Sequence, residues 1–110
     1  MTVEELLEQY AAGIRDFQNI ELCEANLSGA KLSGVNFSHA NLSVVNFSGA
    51  NLSVANLSNA KLNVARLRGS HLACANLNNA SLNVANLIRA DLSHAKLQQF
   101  EIKPATKMIN

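Results

Sequence analysis

Apolar residues recur at every fifth position along most of the chain. Fourteen of the sixteen leucines fall on one register that runs from Leu22 to Leu97, and Phe37 and Phe47 fill its two gaps. The same spacing extends to Phe17 and to Ile102, so eighteen consecutive apolar residues share it. We call this position of each pentad the centre.

The residues around each centre follow the same period. From residue 25 to residue 95, the position two before the centre holds twelve alanines, two valines and one serine. The residue before the centre is most often Asn and the residue after it is mostly Ser or Asn, so both are predicted to face solvent. Four of the five glycines stand two after the centre: Gly29, Gly34, Gly49 and Gly69.

A period of five fits neither regular secondary structure. On a helix the centres would wander around the axis, and on a flat strand an odd step would alternate the face. The chain is therefore predicted to turn within every pentad, with the small residue and the centre pointing inward and glycine suited to the corner. This pattern predicts a solenoid with a Leu/Phe axis and a tight layer of alanine, where larger side chains would overpack.

Composition and charge exclude several classes of protein. Nine Lys and Arg against eight Asp and Glu leave a net charge of +1, which favours neither a basic nucleic-acid binder nor a polyanion. The start is acidic where a signal peptide would be basic, and no apolar run approaches the roughly 20 residues of a membrane span. A cytoplasmic chain without membrane contact is expected, and free thiols are expected at its two cysteines.

The pentads ANLSG, ANLSV, ANLSN, ANLNN and ADLSH resemble the A-(D/N)-L-X-X pattern of the pentapeptide-repeat family over residues 20–103. The resemblance implies a right-handed quadrilateral parallel β-helix, an all-β solenoid with four pentads per coil and residues twenty apart stacked on one face. About four coils, each ~4.8 Å from the next, are expected. The pattern by itself leaves the number of sides open, although valines at 44, 54, 64 and 84 favour an even number.

Three segments are predicted along the chain. Residues 1–14 are expected to form a capping helix, residues 15–103 the β-helix, and residues 104–110 a C-terminal tail. Thr2 and Glu5 have the spacing of a capping box, and Gly13 can end the helix. The helix resembles one that precedes the pentads in small cyanobacterial family members. A membrane-surface or partner-binding helix is the alternative, but its glutamates have the wrong sign for anionic lipid. The expected apolar face of the helix consists of Val3, Leu6, Leu7, Tyr10 and Ile14.

The C-terminal end of the solenoid is a candidate self-association surface. Phe100 occupies a small-residue position, which is compatible only with the absence of a further coil beyond it. Phe100 and Ile102 are expected to be partly exposed there. Either the tail folds back and the chain is monomeric, or two such ends meet in an end-to-end dimer.

One polar cluster is a candidate for chemistry. Stacking by twenty would put His71 beside Asp91 and Cys74 beside His94 on one face. The two pairs would be ~10 Å apart, too far for all four to bind one zinc ion, so Cys74 and His94 are at most a weak metal candidate. No catalytic motif is present, and we expect neither an enzyme nor a cofactor nor a small-molecule substrate.

The favoured hypothesis is a non-enzymatic scaffold that binds an unknown protein partner. Its candidate contact face is the stack of Val44, Val64 and Val84, for which packing between coils is the structural alternative. Some family members protect type II topoisomerases such as gyrase by resembling DNA, but residues 20–103 hold only four acids against seven bases. A weak nucleic-acid site is a further alternative, without stacking aromatic residues to support it. That site would use Arg66, Arg68 and Arg89.

Overall fold

The computed structural model describes residues 1–99, 101 and 102, and it consists of one helix followed by a solenoid. Helix α1 spans Val3–Ala11. Isolated parallel bridges then join residues twenty apart, from the pair Asp16–Asn36 to the pair Ser81–Glu101. Four pentads therefore complete one coil, and the bridged segment makes just over four coils. The bridges are single residues, and the described part of the chain contains no continuous strand.

The twenty-residue repeat divides the pentads among four faces. We number these faces by their centres. The first face carries Phe17, Phe37, Leu57, Leu77 and Leu97; the second Leu22, Leu42, Leu62 and Leu82; the third Leu27, Phe47, Leu67 and Leu87; and the fourth Leu32, Leu52, Leu72 and Leu92.

Backbone hydrogen bonds account for four of the five N–H groups in a typical pentad. The Leu57 and Asn59 N–H groups donate to carbonyls of the next coil at 2.7 and 2.9 Å, and the Asn56 N–H donates to the preceding coil at 2.9 Å. The Ala60 N–H donates to the Leu57 carbonyl at 3.1 Å and closes the corner. Because buried backbone groups must be paired, this pattern ties each pentad to two neighbouring coils.

The fifth N–H is bonded by the asparagine that precedes the centre. Asn56 Oδ1 accepts the Ser58 N–H at 3.0 Å and also the Ser58 hydroxyl at 2.6 Å. The prediction that this asparagine position faces solvent is therefore wrong, since its side chain is a half-buried part of the turn at all but Asn26. The same bond to the N–H two residues later is made by Asn26, Asn36, Asn41, Asn46, Asn51, Asn76 and Asn86.

Each corner contains a residue in the left-handed backbone region. The position two after the centre has φ between +56° and +72°, as the third residue of a type II turn requires. Gly29, Gly34, Gly49 and Gly69 adopt this φ without strain, which confirms their predicted place at corners. Thirteen residues other than glycine adopt the same region.

The interior is filled as the register predicts. Every centre from Phe17 to Leu87 is at most 5% exposed, and the alanine layer beside them is buried from Ala40 to Ala90. The rings of Phe37 and Phe47 lie on opposite faces with their centroids 6.2 Å apart, so the faces meet across the axis. Ser70 replaces alanine in the buried layer, and its hydroxyl donates to the Leu67 carbonyl at 2.7 Å.

Helix α1 covers the first coil. The predicted capping box is present, with the Glu5 N–H bonded to Thr2 Oγ1 at 3.1 Å and the Thr2 N–H bonded to Glu5 Oε1 at 2.8 Å. Leu6 is fully buried, and the Tyr10 hydroxyl donates to the Ser33 carbonyl at 2.6 Å.

Part of the predicted apolar face of the helix is not buried. Leu7 is 37% exposed because the nine-residue helix presents only one narrow stripe to the coil beneath it, and Ile14 is 44% exposed because it lies beyond the end of the helix at Ala11. Within the residues described, no helix is both long and apolar enough to cross a membrane.

The buried register can be tested at Leu57. Leu57→Ala is expected to lower the free energy of unfolding by about 2–5 kcal/mol, because the fully buried side chain leaves a cavity. Asn59→Gly, two residues away at φ +60°, is the control, since glycine accepts this backbone conformation. Denaturant unfolding should give clearly separated midpoints, and coincident midpoints would contradict the register.

The turn function of asparagine can be tested at Asn56. Asn56→Ala removes the acceptor of the Ser58 N–H, and we expect a loss of about 1 kcal/mol of stability. Asn56→Asp keeps an acceptor oxygen at the same place and should stay close to wild type. Thermal unfolding followed by circular dichroism distinguishes them. An alanine variant as stable as wild type would mean that water replaces this bond at no cost.

Candidate interaction surface

The corner between the second and third faces carries an exposed column of valines. Val44, Val64 and Val84 stand twenty residues apart and are 42%, 48% and 48% exposed. We call these three residues the valine column. Val54 has the same position in its pentad and is 63% exposed, but it lies on the fourth face, between Gly34 and Cys74.

The backbone of the valine column is strained. Its three residues have φ of +61°, +62° and +62°. A β-branched residue is an outlier in this region, and left-handed backbone raises the energy of an L-residue by roughly 1–2 kcal/mol. Because the valines lie in turns and not in extended segments, the preference of valine for strands does not account for them. Gly or Asn would adopt this backbone conformation with less strain.

Polar residues border the column on both sides. On one side Asn63 Oδ1 accepts the Asn83 N–H at 3.0 Å and the Ser81 hydroxyl at 2.5 Å. The first of these bonds replaces the usual asparagine bond of the turn, since Ser81 stands where most pentads have Asn. The other side is bordered by Asn46, Arg66 and Asn86. An apolar patch with a polar rim is typical of a surface that contacts another molecule.

The third face brings the three predicted cationic residues together. Arg66 and Arg68 flank the inward-facing Leu67, and both are exposed. The Gly69 N–H donates to the Ile88 carbonyl at 3.0 Å, which stacks the exposed Arg89 over Gly69. The three arginines thus lie on the third face, with Arg89 at its corner with the fourth face.

Sequence reasoning missed Ile88, which lies half-buried between these arginines in the coil above Arg68. Ile88 could have been identified by comparison with its column, because Ser28 and Ser48 hold the same position in the two lowest coils and an apolar residue there is unexpected.

The fourth face holds the predicted histidine and cysteine cluster. His71 and Asp91 form a parallel bridge, and the Cys74 N–H donates to the Ser93 carbonyl at 2.8 Å, so both predicted stacks are confirmed. Hydrogen bonds from the Ser93 hydroxyl and N–H lower the pKa of the Asp91 carboxyl, and His71 and His94 lower it further. Within the described chain, no three His, Cys, Asp or Glu side chains are grouped to hold a metal. The weak Cys74–His94 site stays a prediction.

The remaining sequence-predicted residues are not brought together. Cys23 lies on the second face and Cys74 on the fourth, both exposed, so the two thiols are on opposite sides of the rod. Ile102 is 39% exposed at the C-terminal end. Phe100 and residues 104–110 lie outside the described residues, and the end-to-end dimer stays a prediction.

The repeat and the fold identify the family. A family model for pentapeptide repeats matches residues 16–43, 25–63 and 60–99 with eight copies. The chain belongs to the pentapeptide-repeat family, as the A-(D/N)-L-X-X pattern predicted. Proteins of this family form right-handed quadrilateral β-helices. No curated protein sequence matches the chain.

Similar solved structures come from cyanobacteria and a plant. Rfr23 of Cyanothece 51142 is 34% identical with a TM-score of 0.83, over 84% of this chain and 63% of Rfr23, so this chain spans less than two thirds of that protein. A pentapeptide repeat protein of Nostoc Pcc 7120 is 39% identical with a TM-score of 0.58, over 99% of this chain and 86% of its own. One from the Arabidopsis thaliana thylakoid lumen is 27% identical with a TM-score of 0.65, over 78% of this chain and 57% of its own.

Relief of strain in the valine column should stabilise the protein. Changing Val44, Val64 and Val84 together to Asn is expected to raise the free energy of unfolding by up to about 1 kcal/mol per site, because relief of the left-handed strain exceeds the loss of half-buried methyl groups. Val54→Asn should gain a similar amount for its single site. Urea unfolding measures both. A decrease for the triple variant alone would mean that the stacked valines pack between coils.

Proposed function

We propose that the protein is a non-enzymatic scaffold that binds another protein through the valine column. The observation that carries this proposal is that three exposed and strained valines stack in successive coils at one corner, where φ is near +61° and nearly half of each side chain faces solvent, whereas Val54 stands alone in its column. Backbone strain of this kind is retained at functional sites because the function compensates for the lost stability. An apolar contact with a partner would compensate here.

The shape of the molecule supports binding rather than catalysis. Apolar side chains line the interior, and apart from Ser38 and Ser70 the described polar residues are at least partly exposed. Pentapeptide repeat proteins are generally structural or interaction proteins. We infer the right-handed quadrilateral course of the family for this chain as well, which makes its four faces flat surfaces along one rod.

A DNA-mimicking role receives no support from the charge pattern. Such a role needs carboxylates stacked along a face at the spacing of phosphates, and no two acidic residues of the described chain lie twenty residues apart in one column. In the column of Glu21, for example, Asn41, Lys61 and Ser81 stand before the next acid, Glu101. A partner protein that contacts an apolar surface therefore fits better than a topoisomerase that binds this rod in place of DNA.

The role of the column can be tested with threonine. Val44→Thr, Val64→Thr and Val84→Thr combined keep the β-branched shape and the backbone strain but replace one methyl group per residue with a hydroxyl. We expect stability close to wild type and the loss of partners captured on the immobilised intact protein from a lysate of the source organism. Mass spectrometry with labelled wild-type and variant baits measures the loss.

Val54→Thr is the matched control. It makes the same chemical change at an equally strained and more exposed valine on another face, and it should retain every partner. Partners that bind the triple variant as well as wild type, with both baits folded by circular dichroism, would refute the column as the contact surface.

A further inference from the structure

We propose that the third face is a binding surface for an acidic amphipathic helix of the partner protein, with Arg66, Arg68 and Arg89 as the groups that bind its carboxylates. The inference rests on the proposed function, because the neighbouring valine column supplies the apolar part of the same surface. It adds the charge and the secondary structure of the partner.

The upper half of the third face departs from the pattern of its lower half. The lower coils carry the small, neutral pentads ANLSG at 25–29 and VNFSG at 45–49. The upper coils carry ARLRG at 65–69 and ANLIR at 85–89. In these two neighbouring coils, Arg66, Arg68 and Arg89 thus stand where the lower coils have Asn, Ser and Gly.

These replacements weaken the fold. Arg66 occupies the asparagine position. An asparagine there would accept the Arg68 N–H, which has no hydrogen-bond partner among the described residues. Arg89 has φ of +63° in a column that is otherwise glycine, so it adds backbone strain. None of the three arginines forms an ion pair with any residue in the described part of the chain. Interactions within the protein therefore do not account for the cluster.

The geometry of the cluster suits carboxylates. Arg66 and Arg68 are two residues apart on one extended segment, which separates their α-carbons by ~6.6 Å. Arg89 lies one coil higher and one residue further along, ~6 Å from Arg68 by the same dimensions. The pentads of the third face carry no Asp or Glu, and the nearest acids are Glu24, at the start of the valine column, and Asp91, two residues after Arg89. Guanidinium groups without an internal counter-charge bind carboxylates in bidentate geometry.

A helix fits the combined surface better than an extended peptide. Val64 and Arg66 are separated only by the buried Ala65, so the valine column runs along the edge of the arginine cluster. Coils repeat every ~4.8 Å, close to the ~5.4 Å pitch of an α-helix and shorter than the ~6.6 Å between alternate residues of a strand. A helix lying along the rod can therefore place one apolar residue against each valine, with acidic residues beside them over the arginines.

The distribution of the other cations argues against nucleic acid. Lys96 lies on the first face, Lys61 on the second and Lys31 on the fourth, so the basic surface is a compact patch and not a track for a phosphate backbone. No aromatic side chain points outward from the third face to stack on bases, since Phe47 is fully buried.

A designed peptide can test the inference on the intact protein. The probe is a fluorescein-labelled helical peptide of about 18 residues, with a leucine stripe flanked by glutamates. Fluorescence anisotropy should give saturable binding, and combined Arg66→Gln, Arg68→Gln and Arg89→Gln should weaken it about tenfold or more. The matched control combines Lys31→Gln, Lys61→Gln and Lys96→Gln, which removes the same charge from the other faces and should leave the affinity nearly unchanged.

Three outcomes would overturn the inference. Equal weakening by the arginine and lysine variants would mean attraction by net charge alone. Tighter binding of a short DNA duplex than of the peptide, abolished by the arginine changes, would mean a nucleic-acid surface. If lysate partners are lost from the threonine variant of the valine column but retained by the arginine variant, the proposed function stands and the acidic helix does not.

Discussion

The whole rod depends on one turn that recurs in every pentad. Its third residue adopts a left-handed backbone conformation, and the asparagine before the turn bonds the one N–H that the neighbouring coils leave unpaired, as Asn56 does for Ser58. Once this turn forms, every other N–H of the pentad reaches a carbonyl of the same corner or of an adjacent coil. The centre and the small residue then point inward together, which explains why leucine and alanine are required at spacings of five.

This dependence distinguishes two kinds of departure from the repeat. At Ser81 the turn lacks its asparagine, and Asn63 in the coil below replaces the missing acceptor for the Asn83 N–H. That departure is compensated within the fold. The departures at Arg66 and Arg89 have no such compensation among the described residues, and both arginines lie on the third face or at its edge, beside the valine column. A surface where a regular fold loses stability without an internal gain is the place to expect binding.

Much of the fold follows from residue spacing. The inward register, the glycine corners and the Thr2–Glu5 capping box were all predictable, since each depends on residues close in the chain. The role of the asparagine position was misjudged, because a polar side chain that bonds its own backbone has the same sequence signature as one in water. Apolar periodicity reveals neither how narrow the covered surface is, which leaves Leu7 exposed, nor that the helix ends before Ile14.

The sequence by itself determined the period, the interior and the family, because a five-residue turn and its inward pair are local properties. Only the tertiary structure decided that four pentads close a coil, because closure depends on hydrogen bonds between residues twenty apart, whose pattern no single pentad contains. That closure selects the surface. Residues distant along the chain share a face only when the coil length matches their separation. Closure at twenty residues therefore stacks Val44, Val64 and Val84 and separates them from Val54. It also brings Arg89 next to Arg66 and Arg68.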